Sequence, residues 1–167
     1  MTNTPRYAER DRNEAGRPEN QRPRDRFGAP LPRGSVDELA HREEPEDVVG
    51  GPEEALERLA ALFNAERFFE AHEFAEYIWK HPTLDPKDRE FWKGTAQLAV
   101  GCCHVQRGNR TGAITLLERA QSYLAQYTDP RLRVDPHALA GVAERTALTV
   151  RHAQELSDVP FERFPQS

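Results

Sequence analysis

The chain has 167 residues, 31% of them charged, and a formal net charge of -5. That length suits a single domain with its own core, and the balance of charge gives no built-in preference for nucleic acid. The uncharged run from Thr95 to Val105 is far shorter than the roughly 20 apolar residues of a spanning helix, so no membrane crossing is expected. The opening MTNTPRYAERDRNE lacks the apolar centre of a secretory signal, which makes the cytoplasm the expected location.

Residues 1–50 carry few large apolar side chains and more than their share of the prolines. Such a segment buries too little surface to offset its ordering entropy, so it reads as a disordered tail with at most a brief helix at 35–41. A basic arm built on Arg22, Arg24 and Arg26 is the functional alternative, and the interspersed acids argue against it. Residues 51–167 form the helical domain.

Pro52 with Glu53 and Glu54 starts a helix, and Leu56, Leu59, Ala60 and Phe63 follow at i, i+3, i+4 and i+7. After a short turn at 64–67, a second helix runs over 68–80 until Pro82 stops it. Its wheel places Phe68, His72, Ala75 and Trp79 on one stripe, with Glu76 beside it and Glu73 at the border. Asp85–Pro86 caps and starts the third helix, which is expected to reach Arg107 and end at Gly108. Small and apolar residues occur at almost every angle of its FWKGTAQLAVGCCHVQ stretch, so this helix is expected to lie at the centre. Gln97 and His104 are its strongly polar exceptions, on one face with Gly94 and Gly101. The adjacent Cys102 and Cys103 point about 100° apart and cannot form an ordinary disulfide.

Asn109 caps a fourth helix over 110–126, and Asp135–Pro136 starts a fifth over 137–156. The closing VPFERFPQS should lay Phe161 and Phe164 on the bundle in extended form. No segment alternates with period two, so the fold class is all-α, about five helices with one surrounded by the others. FNAERFFEAHEFAEYI and QRGNRTGAITLLERAQ are loosely alike, a faint helical-hairpin repeat.

A histidine and a glutamate on a core-facing stripe must be paired or ligated, because unpaired polar groups in the interior are costly. His72 and Glu76 on the second helix and Gln97 and His104 on the third therefore point to a polar cluster between the two. His72, Glu73 and Glu76 read H-E-x-x-E, one histidine short of the zinc-protease helix. One outcome is a metal or small-molecule site with hydrolase activity. There His72, Glu76 and His104 hold a divalent metal such as zinc, Glu73 is the base, and Trp79, Gln97 and Asn109 contact substrate. A second is an interaction module of tetratricopeptide-like hairpins, and a third is a purely structural lock. His81, His137 and His152 share no face and read as surface. The expected partner is a small molecule or none; homo-oligomerisation stays open.

The E-A-H-E helix ending in Trp79, the G-x-x-Q helix with its later histidine, and the G-N-x-x-G-A turn together resemble the domain of unknown function 309 family, over roughly 56–124. The motif positions are Glu70, His72, Glu73, Trp79, Gly94, Gln97, His104, Gly108 and Asn109. The resemblance implies an all-helical domain with one enclosed helix, and members are sometimes labelled predicted metal-dependent hydrolases. The family pattern usually places glycine near Ala65.

Overall fold

The structure, a computed structural model, describes residues 23–166. It divides into a first unit, Met1–His41, and a second, Arg42–Ser167. Residues 1–22 of the expected tail, with Arg22 of the alternative basic arm, lie outside the described residues. In the first unit, the described residues from Pro23 onward form turns rather than the brief helix expected at 35–41. Asp25 Oδ1 accepts from the N–H groups of Phe27 and Ala29, and Asp37 Oδ1 accepts from Arg24 and Leu39. Aspartate side chains bonding nearby backbone compete with helix formation in this way.

The second unit is all-helical. One turn of helix, α1 (Pro45–Val48), lies inside the stretch expected to be tail and packs on α3. The remaining helices are α2 (Pro52–Asn64), α3 (Phe68–Lys80), α4 (Arg89–Gln106), α5 (Arg110–Leu124) and α6 (Pro136–His152). No strand occurs among the described residues, only isolated bridges such as Arg131 with Val134. Proline opens α2 and α6 at positions where the lost N–H would have had no helical partner. The Asp135 side chain caps α6 by accepting from His137 N–H at 2.9 Å. Asp85 does the same for Lys87, at the head of a 3-10 turn over Pro86–Asp88 that precedes α4.

Successive helices pack on one another, and α4 lies between α3 and α5 with α6 also touching it. Its buried side includes Phe91, Trp92, Leu98, Cys102, Cys103 and Val105. Glycine brings α5 close: a Cβ on Gly94 would stand 2.9 Å from Tyr123 Cβ, and one on Gly101 would stand 2.8 Å from Leu117 Cγ. The enclosure of α4 is incomplete. Lys93, Gln97, Val100, His104 and Arg107 are only partly buried and share one strip of its surface.

On α3 the apolar stripe is Ala71, Phe74, Ala75 and Ile78 with Phe68, rotated from the stripe read in the sequence. His72 and Trp79 flank it, both partly buried. The C-terminal segment closes the core as expected. Phe164 N–H donates to Asn64 Oδ1 at 2.7 Å, and the Phe164 and Phe161 rings sit 5.6 Å and 4.7 Å from Phe63 and Phe68.

Candidate functional site

The α3–α4 register decides which polar groups can meet. Gln106 Nε2 donates to the Glu66 carbonyl at 2.9 Å at one end, and the Lys93 ammonium lies 5.9 Å from the Trp79 ring centre towards the other. Counting inward from either link sets His72 level with Val100 and His104 level with Phe68. The backbone positions of the two histidines are therefore offset by four residues, about 6 Å along the helix axes at 1.5 Å per residue.

Their partners differ too. His72 Nδ1 hydrogen-bonds the Phe69 carbonyl, and its Nε2 lies 3.9 Å from Glu76 Oε1. His104 Nδ1 instead meets Asn109 Nδ2 at 3.2 Å, where α5 begins. Among the described residues no group of three or more His, Cys, Asp or Glu side chains is disposed to hold a metal ion. The expected set of His72, Glu76 and His104 thus does not converge. Two of its members are neighbours along α3, and the third is turned to another helix. Three protein ligands are the minimum for a catalytic zinc, so this donor set does not fit one.

Glu76 is less buried than its wheel position suggested, with a side chain 38% exposed and Lys80 Nζ 3.3 Å away. Glu73 does not border the α4 strip. A single residue step turns it about 100° from His72, and it meets Arg42 instead, whose Nε lies 3.0 Å and 3.2 Å from its two carboxylate oxygens. Burial outweighs the attraction of Arg42 and lifts the Glu73 pKa from 4.5 to about 7. Glu73 and Glu76 line a cavity of about 390 Å³ with Glu44, Glu46, Tyr77 and Lys80. Gln97 and His104 are not among its lining residues.

On the strip of α4 itself, Gln97 Oε1 is buried with no hydrogen-bond partner. The Lys93 ammonium lies 5.1 Å from the Tyr123 ring centre of α5, so this cation is held between an aromatic ring of α3 and one of α5. Asn109 caps α5 through Oδ1, which accepts from Gly112 N–H at 3.0 Å.

No local pattern pointed to the Arg42–Glu73 pair, whose members lie 31 positions apart. Glu70, a motif position, is buried, 6% exposed, and held by Arg67 through bonds of 2.9 Å and 2.6 Å. Its place in the first turn of α3 was the available signal, since a carboxylate there is favoured by the helix dipole. Cys102 and Cys103 are buried and in no disulfide, and burial raises the Cys102 thiol well above its ordinary range. They pack as small hydrophobes.

No helix of the described residues is long and apolar enough to cross a membrane. Residues 56–116, from α2 into α5, match the family described as "Domain of unknown function (DUF309)". The resemblance carried by the E-A-H-E, G-x-x-Q and G-N-x-x-G-A motifs therefore holds over that segment. Neither the curated proteins nor the solved structures compared with the chain gave a match.

Proposed function

We propose that the second unit is a non-enzymatic helical-hairpin module. It binds an extended peptide segment along the partly open strip of α4. One observation carries this: Gln97 Oε1 has no hydrogen-bond partner although the residue itself is only partly buried, so a turn of its side chain presents the carboxamide on the strip. Leaving such an acceptor unsatisfied costs roughly 1–3 kcal/mol, so a donor is needed there.

His104 and Gln97 complete the pattern. His104 lies seven residues further along the same strip, about 10 Å by helical rise, and accepts Asn109 on its Nδ1 side, which leaves its Nε2 side for a different contact. A polypeptide backbone supplies both complements, an N–H for Gln97 and a carbonyl for His104, and about three extended residues span the gap at 3.3 Å each. In this role Trp79 and Tyr123 flank the strip as aromatic walls, and His72 and Glu76 serve helix register.

Peptide-display selection against the full chain tests the proposal. Peptides enriched on the wild type should lose at least tenfold affinity on Gln97→Ala and on His104→Ala, with both variants folded by circular dichroism. Equal enrichment on wild type and on the double variant would refute a recognition role for this strip. Metal-dependent hydrolysis is the competing reading, and stoichiometric zinc in untagged protein, lost on His72→Ala, would replace the binding-module proposal.

A further inference from the structure

The turn from α4 to α5 is more specific than a helix connection requires. Gly108 has φ 74°, which ends α4, and Asn109 N–H donates to the His104 carbonyl at 2.8 Å. The Asn109 carboxamide is then oriented by its own cap: Oδ1 accepts from Gly112 N–H, which turns the NH₂ group to His104 Nδ1. An imidazole nitrogen that faces a donor must carry a lone pair, and the tautomer follows from that bond. Gly112 makes room for the arrangement. A Cβ there would stand 2.6 Å from Asn109 Nδ2 and 3.1 Å from His104 Nδ1.

We propose that Asn109 is a positioning residue that locks His104 in its neutral form with the hydrogen on Nε2, so that α4 presents a donor specific for a carbonyl or carboxylate oxygen. The functional consequence rests on the binding reading above; the tautomer itself does not. Both groups that meet His104 from α5 are uncharged, and partial burial together with the Arg107 charge on its own helix holds its pKa below the usual histidine value. A second proton would place two donors face to face. The same lock removes the lone pair that a metal ion would need at Nε2.

Nitrogen-15 NMR of the full chain at pH 8, with the His104 resonances assigned from a His104→Gln variant, reads the tautomer directly. The wild type should show the hydrogen on Nε2. Asn109→Asp keeps the helix cap, since one carboxylate oxygen still accepts from Gly112. Its other oxygen should draw the hydrogen to Nδ1, reversing the tautomer and raising the His104 pKa. Peptides enriched on the wild type should then bind at least tenfold more weakly. A wild type with the hydrogen on Nδ1, or an Asn109→Asp spectrum unchanged from wild type, would overturn the lock. If no peptide is enriched, the binding reading fails, and the NMR comparison still decides the tautomer.

Discussion

Glu66 and Gly108 hold the same place in two hairpin turns, α2 to α3 and α4 to α5, with backbone φ of 59° and 74°. In each turn the following residue, Arg67 or Asn109, donates its N–H five residues back, to Leu62 or His104. This is the glycine-type helix ending repeated, once with a side chain in the left-handed position. Left-handed backbone costs a non-glycine residue about 1–2 kcal/mol, whereas glycine adds unfolded-state entropy of roughly 0.4–1 kcal/mol.

Glu66→Gly should therefore stabilise the protein, by about 0.5–1 kcal/mol on those figures, read as a higher urea midpoint. The bond from Gln106 to the Glu66 carbonyl survives the change. A lower midpoint would show that the Glu66 side chain contributes more than its backbone costs.

Gly94→Ala sets helix propensity against space. Alanine is favoured over glycine within a helix by about 1 kcal/mol. The added methyl would lie 2.9 Å from Tyr123 Cβ and 3.2 Å from Leu124 Cγ, and a Cβ cannot swing away as a side-chain tip can. Overpacking of this kind costs about 1–3 kcal/mol, so a net loss of roughly 1 kcal/mol is expected. A gain in thermal midpoint would mean that α5 shifts more easily than the packing implies.

The raised pKa of Glu73 has a definite sign in stability. Between its unfolded value near 4.5 and its folded value of about 7, the folded state keeps a proton that the unfolded chain has released. Stability from this group is thus highest below pH 4.5 and falls as pH rises to about 7. Glu73→Gln removes the slope, so the variant should improve relative to wild type between pH 5 and pH 8 in urea titrations. A relative loss over that range would show that the ion pair with Arg42 dominates burial.

Helix starts were legible because they depend on near neighbours in the chain: Asp85, Asn109 and Asp135 all cap where their spacing to the next residues required. The polar cluster was legible only in part. Helical periodicity correctly put Gln97 and His104 on one face, but it carries no information on how far α3 slides along α4. That slide, set by Gln106 on Glu66 and Lys93 near Trp79, offsets the backbone positions of His72 and His104 by four residues. Arg42 was invisible because its partner Glu73 is distant in sequence, and assigning residues 42–50 to the tail hid α1.

The C-terminal segment lies beyond the matched residues 56–116, yet it completes their core. Phe164 is 5% exposed, its ring stands edge-on to Phe63, and its N–H bonds Asn64 at the end of α2. Deleting such a ring from a packed core typically costs about 3–5 kcal/mol, with the low end expected in a segment outside any helix, which can relax. Phe164→Ala should therefore lower stability by about 3 kcal/mol, and Phe164→Leu should recover most of it because an apolar group of similar size refills the space. The readout is the urea midpoint together with hydrogen exchange at the α2–α3 turn, where Phe63 and Phe68 would lose their cover. Unchanged exchange in Phe164→Ala would mean that α2 and α3 hold their hairpin without this strap.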